Sequence, residues 1–410
     1  MDERGRAWAA SGAMDLTGRP DGPGLGGPPA LVDLMERAAG VVARYSDGRA
    51  VVDGLALLGE RAALGHLTRQ GRISCGGGSR LVRAADGWLA LSLARPDDIA
   101  ALAAWAGRPL APGDPWTVAE QIARRADSAT LDARAALLGL PFAAVGSVEP
   151  PRTRAFDLPV GAVGRQDAAC PPRPVAGARA VDLSTLWAGP LCGQLLAAAG
   201  ADVVKVESLA RPDGARRGPA AFFDLLNGTK RTVALDLTTE GGRCDLQRLL
   251  AAADVVIESA RPRALEQMGI RADEMLAAPG GPRVWVSITS HGRGPGGRER
   301  VGFGDVAAAA GGLVAHGGSR HGHYDGPYFL ADAVADPLAG LVAAAAVLEA
   351  LAAGGRWLLD AAMAPMAASV TGPPADVHGA TVRPPRARPV ERPAAPLGSD
   401  TAAVLGAVSP

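Results

Sequence analysis

Two aspartates bracket the start of the most apolar stretch in the chain, Asp332 and Asp336 in "LADAVADPLAGLVAAAAVLEAL". A carboxylate in that place has two elementary uses. It can cap a helix, with Asp336 as N-cap and Pro337 at the first helical position. It can also attack an electrophile, kept ionised by the helix dipole and by unpaired backbone N–H groups. The spacing satisfies both, and one residue can do both. His316, His321 and His323 gather with Asp325 in "HGGSRHGHYDG", a glycine-rich composition that fits a solvated loop better than a metal site, so no metal is expected. Gly292, Gly294 and Gly297 have GxGxxG spacing after a strand pattern, but "RERVGFGD" follows where a dinucleotide fold needs a helix. The chain has no GxSxG, HExxH or Walker-type loop, which disfavours ordinary serine hydrolases and P-loop enzymes.

At 410 residues the chain can hold two or three cores, and its 42 basic and 42 acidic residues leave no net charge to draw it to nucleic acid or an acidic membrane. Cys75, Cys170, Cys192 and Cys244 lie far apart without CxxC spacing, which argues against zinc and disulfides and for a reducing cytoplasm. No apolar leader opens the sequence, and the apolar run is interrupted by Glu349, short of a spanning segment. Lysine occurs only at positions 205 and 230 against 40 arginines, so each lysine could mark a place needing a compact ammonium.

The elements divide into two patterns. Residues 1–29 read as a flexible Gly/Pro tail, and 30–150 as a small α+β domain with amphipathic helices and a hairpin at Asp86-Gly87. Residues 151–177 read as a linker. From 178 to 371, β-branched runs such as "RAVDLS", "DVVKVE", "RTVALDL" and "DVVIES" are interleaved with helical segments, the signature of a Rossmann-like, mainly parallel sheet. The fold class is therefore α/β, small domain first, with loops over 292–330 and a Pro-rich tail over 372–410 that ends in a short helix.

The ordered motifs "VDLSTLWAGPLCGQLLAAAGADVVKVE", "NGTKRTVALDL", "ADVVIESARPRALEQMG" and "VSITSHGRGPGG" resemble family III CoA-transferases, where "DLS…LAGP…LLADLGADVIKVE", "NRGKRSVALDL", "ADVLVENFRPG" and "SISGFGQTGP" occur in that order. The resemblance covers residues 178–365. "SCGGGSRLVRAADGWLALSLARPDD" and "LLGLPFAAVG" resemble that family's small domain, which there follows the Rossmann-like part; here it comes first, by permutation or by fusion and loss.

The resemblance implies transfer of CoA from an acyl-CoA to a carboxylic acid, with coenzyme A as part of the substrate and no permanently bound cofactor. Asp336 matches the nucleophile that becomes an aspartyl thioester, and Asp332 is the runner-up. Gly76, Gly77 and Gly78 match a loop that shields the intermediate. Leu186, Trp187 and Ala188 match the CoA-pocket turn, and Lys230, Arg231 and Arg261 match stretches near the nucleotide. Trp187, where the formyl-CoA branch has glutamine, points to a larger apolar acyl group. Family members form interlocked homodimers, so a homodimer is expected. Two alternatives stay open. One is an acyl-CoA racemase, for which Phe303 or Gly304 stands where the basic histidine belongs unless His291 or His316 substitutes. The other is a non-catalytic CoA-binding relative, since "ENFRPG" has become "ESARPR".

Overall fold

The structure, a computed structural model, describes residues 2–165, 170–320 and 323–408. Twelve strands are described. A small antiparallel sheet contains β1 (Ser79–Arg83), β2 (Trp88–Ser92) and β3 (Phe142–Ala144). The large sheet contains β4 (Gly161–Arg165), β5 (Arg179–Asp182), β6 (Asp202–Ser208), β7 (Arg231–Leu235), β8 (Val255–Glu258) and β9 (Val284–Thr289). A ribbon of β10 (Ala315–Arg320) and β11 (His323–Tyr328) precedes the last strand of the large sheet, β12 (Arg356–Ala362).

The large sheet runs in the order β4-β12-β9-β8-β5-β6-β7, parallel throughout except for β4, which pairs antiparallel to β12 at the edge. Without β4, this is the doubly wound order in which the first strand lies at the centre and the chain leaves it in both directions. Its neighbours β6 and β8 are reached by crossovers on opposite faces, so a crevice opens at the carboxyl ends of β5 and β8. The strands read as continuous apolar runs because both faces are covered. Along β8, Val255 and Ile257 enter one core while Val256 enters the other, the period-two alternation of a pleated strand. The first core holds the helices Ala188–Ala198 and Ala335–Ala353; the second holds Glu240–Ala251, Pro262–Glu266 and Ala272–Ala277. At 19 residues, Ala335–Ala353 is long and apolar enough to cross a membrane, longer than the sequence reading allowed, but it is packed inside this core.

The small sheet has its own core, centred on Trp105 and Phe142 in edge-to-face contact at 5.0 Å. Its hairpin turns at Asp86-Gly87, with Arg83 opposite Trp88, as the sequence pattern predicts.

Four expectations change. Residues 1–29 are not a loose tail: Asp2 caps a helix at Glu3–Ser11, Trp8 is fully buried, and its indole N–H donates to the Leu25 carbonyl at 2.9 Å. The following helix, Pro29–Tyr45, buries its apolar face against Ala335–Ala353 and so joins the large core rather than the small sheet. Part of the expected linker is β4. The Pro-rich tail is a strap: Arg383 N–H donates to the Ala9 carbonyl, Arg388 pairs with buried Glu60 at 2.6 Å, and the helix Thr401–Ala407 packs by β7. The predicted loop region 292–330 also contains the helix Gly304–Ala310 and the β10–β11 ribbon; His321, and the side chains of His323 and Asp325, lie outside what is described.

Candidate active site

A cleft of about 250 Å³ opens at the topological switch point. Thr185, Leu186 and Ala188 enter it after β5, Ser259 to Pro262 after β8, and Thr289 and Ser290 at the end of β9. The loop 297–303 and Arg95 from the small unit close the other side, and Asp336 lies in the wall.

The turn after β5 is held from beneath. Asp182 accepts from the Ser184 backbone N–H at 2.9 Å and pairs with Lys230 at 2.7 Å; Lys230 also donates to the Pro190 carbonyl at 2.9 Å and to Asn227 at 3.0 Å. Lys205 pairs with Asp213 at 2.9 Å, and the same carboxylate accepts from the Leu186 N–H at 3.0 Å, fixing Leu186 at φ +70°. That conformation is uncommon for a residue with a side chain, and the buried ion pair holds it. Both rare lysines are therefore fully buried struts. This corrects the nucleotide-contact expectation for Lys230, whose three bonds leave no proton for a phosphate. Arg231 is corrected as well. It pairs with Asp202, the first residue of β6, at the amino edge of the sheet, whereas the cleft lies at the carboxyl edge. Trp187 is 2% exposed and stacks edge-on against Phe222 at 5.1 Å behind the turn, outside the cleft lining. Leu186, Ala188 and Arg261 do line the cleft.

Three carboxylates surround one guanidinium. Arg61 donates to Asp332 in a two-point pair, Nε to Oδ2 at 2.9 Å and Nη2 to Oδ1 at 2.5 Å, and its charge also reaches Asp305 and Asp336. Asp332 is fully buried and committed to this pair. Asp305 accepts from the Ala333 N–H at 3.1 Å, and burial pushes its pKa up to about 6, against the opposing pull of Arg61. Asp336 is the member that opens into the cleft. Burial raises its pKa to about 7; Arg61 and a backbone hydrogen bond from Gly304 pull it down, while the charges of Asp305 and Asp332 push it up. The helix begins at Ala335 after Val334, which places Asp336 at the second helical position and not at the cap, and no side chain caps this end. Burial thus opposes the expectation that the helix terminus keeps Asp336 fully ionised.

The triplet Gly76, Gly77 and Gly78 lies beside this cluster and not in the cleft lining. A Cβ at Gly76 would stand 3.4 Å from the Arg61 guanidinium, while Gly77 and Gly78 face open space, Gly77 with φ +76°. The residues after Gly297 form turns, and the next helix starts only at Gly304, so a pyrophosphate-binding helix does not follow the GxGxxG glycines.

Sequence reasoning missed Arg95, Arg298 and Arg300 in the cleft and Arg61 behind it. Arg298 and Arg300 stand in "GGRERVGFGD", a charged loop after a strand's carboxyl end, which was the available signal. Arg300 pairs with Asp132 at 2.6 Å, tying the small unit to the cleft, while Arg95 pairs with Asp98 at 2.5 Å within the small unit. Arg298 pairs with Glu266 at 2.5 Å, and Arg261 makes no ion pair among the described residues. No histidine lines the cleft among the described residues: His291 is half-buried, with its pKa lowered to about 4 by desolvation, and His316 is exposed beside Trp88. The described residues contain no cluster of three or more metal-ligating side chains.

Residues 175–397 match the sequence profile of CoA-transferase family III. Succinyl-CoA–D-citramalate CoA-transferase of Chloroflexus aurantiacus is 33% identical over 188 residues, 44% of this chain and 46% of that protein. A probable fatty acyl-CoA transferase of Mycobacterium tuberculosis is 36% identical, over 44% of this chain and 47% of its own length. A solved CaiB/BaiF family protein from Brucella suis is 32% identical and aligns with a TM-score of 0.42 over 48% of this chain and 55% of its own. The chain thus spans about half the length of the curated relatives it matches.

Proposed function

Because this chain belongs to CoA-transferase family III, we propose that it moves CoA between an acyl-CoA and a carboxylic acid with Asp336 as the covalent carrier. The observation that carries this reading is the division of labour among the acids: Asp332 is locked to Arg61, while Asp336 alone of the three lines the switch-point cleft.

In the proposed cycle, an ionised Asp336 oxygen bonds to the thioester carbonyl carbon, and the C–S bond breaks to release CoA thiolate and leave an aspartyl acyl anhydride. The thiolate then attacks the aspartyl carbonyl, expelling the donor acid and leaving an aspartyl-CoA thioester. The acceptor carboxylate attacks that thioester, and the released thiolate returns to the acceptor's acyl carbon, freeing Asp336. No net proton is consumed. Carboxylates are weak nucleophiles, so the site must supply orientation, worth up to roughly 7–11 kcal/mol, and donors for the developing oxyanion.

Arg261, with Arg95, Arg298 and Arg300, gives the cleft a cationic rim suited to the phosphates of CoA. Ile288, Val301, Phe303 and Met363 give it an apolar wall that fits an acyl chain. With Trp187 packed away, that wall, rather than the indole, supports a larger apolar acyl group. The Gly76–Gly78 loop reaches Arg61 within the same chain, so the proposed site needs no second copy to be assembled. All four cysteines are free and three are buried, which supports a reducing compartment.

The test is to incubate the protein with acyl-CoA and hydroxylamine and to map the adduct by mass spectrometry. A hydroxamate at Asp336, with activity abolished in Asp336→Ala, is the expected result. An adduct elsewhere, or an active Asp336→Ala, removes the assignment.

A further inference from the structure

One polar atom in the cleft has no task in the free protein. Ser290 is 7% exposed and lines the cleft, yet its Oγ is buried without a hydrogen-bond partner among the described residues. A hydroxyl removed from water and left unpaired is uncommon and calls for an explanation. Its backbone is fixed: Ser290 follows the last residue of β9, and its carbonyl accepts from the Ala364 N–H at 2.9 Å.

The loop 302–304 relates Ser290 to Asp336. A Cβ built on Gly302 would meet Ser290 Oγ at 2.1 Å, and a Cβ built on Gly304 would meet Asp336 Oδ2 at 2.2 Å. Phe303 between them is extended, with φ −110° and ψ 169°, so positions 302 and 304 face the same way. Positions 302 and 304 lie two apart on this backbone, which sets the hydroxyl and the carboxylate against the same short loop of the cleft. The two glycines leave room for both oxygens; a side chain at either would displace one of them.

A thioester carbonyl set between the two groups would offer its carbon to the carboxylate of Asp336 and its oxygen to the hydroxyl of Ser290. Resting on the transferase reading above, we infer that Ser290 is a catalytic hydrogen-bond donor that stabilises the oxyanion formed when Asp336 attacks the acyl-CoA. As the new C–O bond forms, the carbonyl π electrons move onto the oxygen that accepts from Ser290 Oγ–H. They return when the C–S bond breaks, and the serine keeps its proton throughout.

The test compares wild type with Ser290→Ala and Ser290→Thr, using acetyl-CoA, propionyl-CoA and succinyl-CoA as donors and hydroxylamine to trap the adduct. The expected result for Ser290→Ala is a fall of about 10²-fold in the rate of aspartyl adduct formation and in kcat. KM should change less than threefold, and the melting temperature should hold or rise because no protein hydrogen bond is lost. Ser290→Thr should restore part of the rate. An Ala variant that traps adduct at the wild-type rate overturns this inference and leaves the transferase reading intact. A drop in melting temperature with unchanged kcat per folded molecule marks Ser290 as structural and also overturns it. A wild type that forms no adduct at Asp336 with any of the three donors overturns both.

Discussion

Replacing Asp336 with asparagine should make the protein more stable while ending its proposed chemistry. Burial, together with the neighbouring Asp305 and Asp332, raises the Asp336 pKa from an ordinary 3.8 to about 7. At about 1.4 kcal/mol per unit, ionised Asp336 therefore costs the folded state about 4 kcal/mol relative to the unfolded chain. The sign follows from linkage. A carboxyl whose folded pKa is raised contributes most below its unfolded pKa, and that contribution is lost as pH rises through the folded value, here between about 4 and 7. An asparagine side chain in its place carries no such charge and keeps an oxygen for the Gly304 N–H. The expected gain is about 4 kcal/mol at pH 8, falling to about 1.5 kcal/mol at pH 5. For a chain of this length, 4 kcal/mol corresponds to a rise in Tm of about 5 °C. Urea unfolding of both proteins at the two pH values measures it. A gain independent of pH, or a loss of stability at pH 8, refutes the reasoning.

The same titration should appear in activity, since attack requires the ionised carboxylate: kcat/KM is expected to rise tenfold per pH unit below about 7 and to level off above it, and a flat profile from pH 5 to 9 excludes Asp336 as the nucleophile. Asp332→Asn removes one of the charges that raise the Asp336 pKa and leaves Arg61 without its close partner, so it should lower stability by about 3 kcal/mol and move the kinetic limb below 7; a limb that stays in place severs the coupling. Arg261→Ala should raise KM for acyl-CoA about tenfold, the value of a charge-assisted hydrogen bond, with kcat within twofold and a gap that narrows in high salt; an unchanged KM removes Arg261 from the phosphate site.

What the sequence made legible is what local pattern encodes. Apolar β-branched runs separated by helical segments announced the parallel sheet, and β8 shows why, with Val255, Val256 and Ile257 serving two cores in turn. Asp86-Gly87 announced its hairpin by turn chemistry alone. Pairings across long separations left no local trace. Arg61 meets Asp332 across 271 positions, and nothing in "GERAAL" marks an arginine for the acidic cluster. The helix Pro29–Tyr45 displayed its apolar face but not which core would receive it. Lysine's rarity did flag Lys205 and Lys230 as special. The compact ammonium was needed to hold the turn after β5 and not to meet a phosphate, and only their burial decides between those uses.

The acidic cluster also bears on the covalent step. Asp305, Asp332 and Asp336 face the single positive charge of Arg61, so full ionisation leaves two negative charges without a counterion in a desolvated space. Forming an anhydride or a thioester at Asp336 turns its carboxylate into a neutral acyl group and relieves that repulsion. The burden of about 4 kcal/mol carried by the ionised resting state is therefore available to favour the covalent adduct, by up to roughly a thousandfold in its equilibrium constant. This effect fades as protonation removes the same charge. Trapped adduct measured at equilibrium with a fixed ratio of acyl-CoA to free acid should accordingly increase from pH 5 to pH 8. A yield constant across that range would show that Asp336 is not protonated at pH 5, and would remove both the raised pKa and the proposed relief of repulsion.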